Sequence, residues 1–89
     1  MNYFQLIQDL EEICRQLGIR VRYEKGDFEG GYCILEDQKV LVVNKRLNEM
    51  RKASVLAQAL GEIGIEMMYL KPVVREFIED EWAKSVRQK

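Results

Sequence analysis

Histidine occurs nowhere in this chain of 89 residues. Its absence removes the commonest imidazole metal ligand and the side chain that most often serves as a general base near neutral pH. Cysteine appears only as Cys14 and Cys33, with no CxxC spacing and no histidine to complete a zinc tetrad. Both therefore read as reduced structural thiols, Cys14 on the apolar face of a helix and Cys33 within a strand. A surplus of one charge is missing as well: 14 basic and 15 acidic residues are interspersed along the chain. No strong field is available to attract a polyanion, so nucleic acid is not an expected partner. No uncharged run approaches the roughly 20 apolar residues of a membrane span, and membrane is not expected either. The opening "MNYFQLIQDLEE" has no early Lys or Arg, and Asp9, Glu11 and Glu12 interrupt any apolar region that a signal peptide would need. A cytoplasmic location is the expectation. One proline, no repeat and no polar low-complexity tract leave nothing that reads as a linker, so a single domain over residues 1–89 is expected.

The residues present support a small core. Tyr3, Leu6, Ile7, Leu10, Ile13, Cys14 and Leu17 recur at helical spacing, with Asn2 as N-cap and Gly18 as the left-handed stop. "IRVRYE" alternates Ile19, Val21 and Tyr23 with Arg20, Arg22 and Glu24, the period of a strand with one wet face. After the breaker cluster "KGDFEGG", the runs "YCIL" and "KVLVVN" around the turn "EDQ" predict a hairpin whose second strand, Val40 to Val43, is central. Gly30 and Gly31 lead into a strand rather than a helix N-terminus, which favours a bulge or turn over a phosphate cradle. Asn48 caps a second helix with the stripe Ala53, Leu56, Ala57, Leu60, Ile63, Gly64 and Met67; Gly61 and Gly64 weaken it, and are read either as a break near Gly64 or as points of close approach for a strand or another helix. Pro72 opens a third, with inner face Val74, Phe77, Ile78, Trp82 and Val86. Early Glu76, Glu79 and Asp80 and late Lys84, Arg87 and Lys89 match its dipole. The expected fold is α+β, in the order helix, three strands, helix, helix. The sheet is expected to be mainly antiparallel, with helices on one face.

"LGIRV", a glycine-led hairpin ending "VLVVN", a helix containing "LAQALGE" and then "LKP" together resemble the minimal core of the ImmA/IrrE-type zinc metallopeptidases, over Leu17 to Pro72. The resemblance implies the same order of elements and a helix carrying HExxH. In that motif two histidines four apart bind zinc on one helical face, and the intervening glutamate acts as general base. Here the corresponding positions hold Gln58, Ala59 and Glu62. A weak amide, a methyl group and a single hard ligand cannot perform zinc hydrolysis by that mechanism. Only a short segment containing Glu66 separates Glu62 from "LKP", so the region that supplies a third ligand in such peptidases is shortened or lost. The same helix also reads as an ordinary amphipathic one, with Gln58, Glu62 and Glu66 as its solvated edge.

The expectation that follows is a non-catalytic, cofactor-free interaction or regulatory domain, with a protein partner or a second copy as its target. Met67, Met68, Tyr69 and Leu70 are the candidate contact, because methionine adapts and tyrosine combines area with a polar tip. The alternative is an enzyme of another class in which Glu62, Glu66 and Glu79 meet around a divalent cation. A third reading takes "GEIG", Gly61 to Gly64, as a GxxG loop of the kind that clamps RNA in KH domains, although Glu62 places an anion there.

Overall fold

The computed structural model describes residues 2–87, so Lys89 of the expected basic C-terminal turn lies outside the described residues. Six elements follow in the expected order: α1 (Tyr3–Gln16), β1 (Ile19–Glu24), β2 (Gly30–Leu35), β3 (Gln38–Asn44), α2 (Glu49–Ile63) and α3 (Pro72–Arg87). The fold is α+β. Asn2 and Asn48 each accept the N–H of the residue three positions on, Gln5 and Arg51, and so cap α1 and α2. Gly18 sits at φ +74°, in the left-handed region, where α1 gives way to β1.

The sheet is mixed rather than mainly antiparallel. Its order is β1-β3-β2, with β3 antiparallel to β2 and parallel to β1. Residues 25–29 produce this arrangement. They leave the end of β1, arch over the end of β3 and deliver the chain to the far side, where β2 begins. Asn44, the last residue of β3, is nearly buried and donates its side-chain amide to the carbonyls of Gly26 (2.9 Å) and Phe28 (2.7 Å) in that arch. Its oxygen accepts the N–H of Arg46 at 3.0 Å. The hairpin between β2 and β3 closes on Glu36 and Asp37, both at positive φ (50° and 68°), as a two-residue connection matched to strand twist requires.

α1 and α2 cover one face of the sheet, and α3 packs on α2. One core joins Leu10, Ile13 and Cys14 of α1, Ile19, Leu41 and Val43 of the sheet, Leu56, Ala57 and Leu60 of α2, and Val74 and Ile78 of α3. Two glycines set how closely α2 approaches its neighbours. A Cβ on Gly61 would lie 2.5 Å from the Trp82 Cβ, and one on Gly30 would lie 2.8 Å from a Val55 methyl and 2.4 Å from the Val42 carbonyl. Among the described residues no helix is long and apolar enough to cross a membrane.

The stripe expected on α2 stops short. Gly64 at φ +103° ends the helix after Ile63, and Met67 lies outside it, almost fully exposed. On α3 the inner face is Val74, Ile78 and Glu81; Phe77 and Trp82 are only partly buried and Val86 is exposed.

Two substitutions test this account. Asn44→Asp keeps the size of the side chain but removes both donors, and should cost about 3 kcal/mol of unfolding free energy at pH 7. Protonating the new carboxyl returns one donor, so urea titrations at pH 7 and pH 4 should show a smaller deficit at the lower pH. Gly61→Ala gains roughly 1 kcal/mol of helix propensity but drives a methyl into the Trp82 side-chain root. The clash costs about 1–3 kcal/mol, and the melting temperature should fall rather than rise.

Candidate functional site

Strand β2 is an edge of the sheet, and its sequence "GGYCIL" contains no charge and no proline. The usual protections of an exposed edge are therefore missing from it. Its hydrogen-bond parity follows from the hairpin. A two-residue turn makes Leu35 and Gln38 a bonded pair, and bonded and non-bonded pairs then alternate along the ladder. The Asn44 N–H to Glu29 carbonyl bond of 2.9 Å, at the other end, has the same parity. Gly30, Tyr32 and Ile34 consequently turn their backbone N–H and C=O groups away from β3, toward the open side.

A groove runs beside that edge under the helices. Its narrower part, about 150 Å³, is lined by Gly30, Gly31 and Tyr32 of β2, by Val55, Gln58, Ala59 and Glu62 of α2, and by Trp82 and Ser85 of α3. A larger hollow of about 380 Å³ continues from it toward the start of α2 and takes in Tyr3, Arg51, Ser54, Phe77, Glu81 and Lys84. Glu29 and Gln58 border both. Ser54, Gln58 and Glu62 recur every four residues, so one edge of α2 faces the whole length of the groove. Gln58, Ala59 and Glu62 all border the groove, Gln58 half-buried, Ala59 at 7% exposure and Glu62 open to solvent.

A polar network occupies the larger hollow. Glu81 is only 8% exposed. One of its carboxylate oxygens accepts the Ser54 hydroxyl, the other takes Lys84 Nζ at 3.1 Å, and Gln58 Nε2 donates to Ser54 Oγ at 3.3 Å. Burial pushes the Glu81 carboxyl up, but the bonds from Ser54, Lys84 and Gln58 together outweigh it and hold the group below its ordinary value. Arg51 pairs with Glu29 at the rim. Ser54 donates its hydrogen bond to a carboxylate whose basicity is reduced. The arrangement ties α3 to α2 and lines the groove with polar groups already satisfied.

Glu81 escaped the sequence reading because α3 carries many acids. The signal was its position seven residues after Val74 and three after Ile78, on the apolar face rather than beside it.

The other candidates fall elsewhere. Met67 and Tyr69 project fully into solvent, whereas Met68 and Leu70 pack against the core; Arg75 donates to the carbonyls of Ile65 and Met68 and braces that turn. Glu62, Glu66 and Glu79 do not form a metal-binding group: no set of three Asp, Glu or Cys among the described residues is placed to hold an ion. "GEIG" is not a loop between helices, since Glu62 and Ile63 belong to the last turn of α2. Cys14 is buried and Cys33 half-buried, both as free thiols. Burial first, and the charge of Glu11 second, push the Cys14 thiol up to about 12, which keeps it protonated and inert. No known family model matches the chain, and no characterised protein or solved structure does so.

Replacing Glu81 by Gln tests the network. Its depressed folded pKa means that the ionised carboxylate contributes stability in full above the ordinary glutamate value of about 4.3. That contribution disappears as the pH falls through the lower folded value. Glu81→Gln should therefore lower stability by roughly 1–2 kcal/mol at pH 7, and the gap should close as the pH falls through the lowered folded value. Parallel curves across pH 3–7 would contradict the assignment.

Proposed function

We propose that this chain is a non-catalytic interaction domain with a zinc-free metallopeptidase-like core, and that it takes an extended segment of a protein partner alongside β2. The observation that carries the reading is the coincidence of two features at one place. The uncharged, unprotected edge of β2 borders the groove lined by Gln58, Ala59 and Glu62. Main-chain hydrogen bonds to Gly30, Tyr32 and Ile34 would supply affinity for an added strand, and alternate side chains of that strand would enter the groove. Ile34, 63% exposed, offers apolar surface beside the edge.

Catalysis is disfavoured on chemical grounds. The position that matches the general base is Ala59, whose methyl group cannot accept a proton. Ser54 is tied to a weak base. A domain that binds an extended segment and does nothing further to it needs neither.

A random seven-residue peptide library panned on the protein, followed by amide hydrogen exchange with the selected peptides, tests this. Exchange at Gly30, Tyr32 and Ile34 should slow on binding, while Gly31, Cys33 and Leu35, already bonded to β3, should change little. Failure to select peptides, or protection confined to another surface, would refute the reading.

A further inference from the structure

We propose that the segment bound beside β2 is recognised through a lysine or arginine side chain that enters the narrower part of the groove and meets Glu62. The inference rests on the edge-binding reading above and adds the chemistry of its partner.

Four observations converge on it. Glu62 is exposed and forms no ion pair among the described residues, whereas the other acid of that hollow, Glu29, is already held by Arg51. Among the described residues no basic side chain lines this part of the groove. Glu62 also stands in the last turn of α2, which contains no basic residue. The negative end of the helix dipole disfavours an anion there, so Glu62 is a charge that the fold itself does not reward. Finally, Val55, Ala59, Tyr32 and Trp82 give part of the lining apolar and aromatic surface, beside the polar Gln58 and Ser85. Such walls suit the methylene stem of a long basic residue whose charged head reaches an acid at the open end.

Strand geometry sets where that residue must be. Side chains of an added strand alternate between the helix-covered face and the open face of the sheet. Only those on the helix-covered face reach the groove, so the basic residue occupies one fixed register opposite β2. Its neighbours on either side point away from the groove.

The test uses peptides selected by panning, each compared with a copy in which the basic residue is replaced by norleucine. Selected peptides should share Lys or Arg at one position, and norleucine there should weaken binding about tenfold. Glu62→Lys should weaken the parent peptide by at least about tenfold, combining lost attraction with new repulsion, and leave the norleucine peptide unaffected. This variant places a cation where the dipole favours one, so its melting temperature should hold or rise and lost binding cannot be ascribed to unfolding. If selected peptides protect Gly30, Tyr32 and Ile34 but show no basic preference, or bind Glu62→Lys equally well, the inference is wrong and the edge-binding reading survives. If no peptide protects those amides, both are wrong.

Discussion

The sheet order depends on one buried amide. Asn44 holds residues 25–29 over the end of β3 through the carbonyls of Gly26 and Phe28, and that arch is what allows β3 to lie between β1 and β2. A short connection at this point would pair β1 with β2 directly and place β2 at the centre. With the arch in place, β3, the strand with the most buried residues, takes the middle position, where both of its edges are satisfied. The uncharged β2 is left outside. The open edge that borders the groove therefore follows from a polar contact made just before β2 begins.

Helix α2 converts that edge into a groove. It contributes Ala53, Leu56, Ala57, Ala59 and Leu60 to the core, and its small residues allow close packing on more than one side. The absence of a side chain at Gly61 admits the root of Trp82, and the absence of one at Gly30 brings the edge strand against Val55. Both approaches involve parts of the wall of one hollow. The helix pays for Gly61 in propensity, and the return is a rigid junction between α2 and α3. Glu81 secures the same junction by an ionic route, its carboxylate shared between Ser54 and Lys84.

Much of this was legible from residue type and spacing. The caps at Asn2 and Asn48, the stop at Gly18, the hairpin around Glu36 and Asp37 and the apolar faces of α1 and α2 follow from local preferences that act within a few residues. Errors arose where distant segments meet. Met67 matched the helical period, but Gly64 ended the helix first and put Met67 in solvent. Val86 matched the inner face of α3 but is exposed. Glu81 looked like one more surface acid, because sequence does not reveal that the Ser54 hydroxyl and the Lys84 ammonium group will meet its carboxylate. The grouping of Glu62, Glu66 and Glu79 failed for the same reason: charged residues are common enough that proximity requires the fold.

The sequence by itself determined the number, type and order of the elements, because helix caps, turn residues and hydrophobic periods are short-range. It also determined that no histidine-based chemistry is available, since a missing side chain cannot be supplied by folding. Tertiary structure alone decided that β1 runs parallel to β3, that β2 is an open edge, and that Gln58, Ala59 and Glu62 face that edge across a groove. These are long-range relations, set by a five-residue arch, a buried amide and the close approach of glycines to their neighbours, and local pattern carries no record of them.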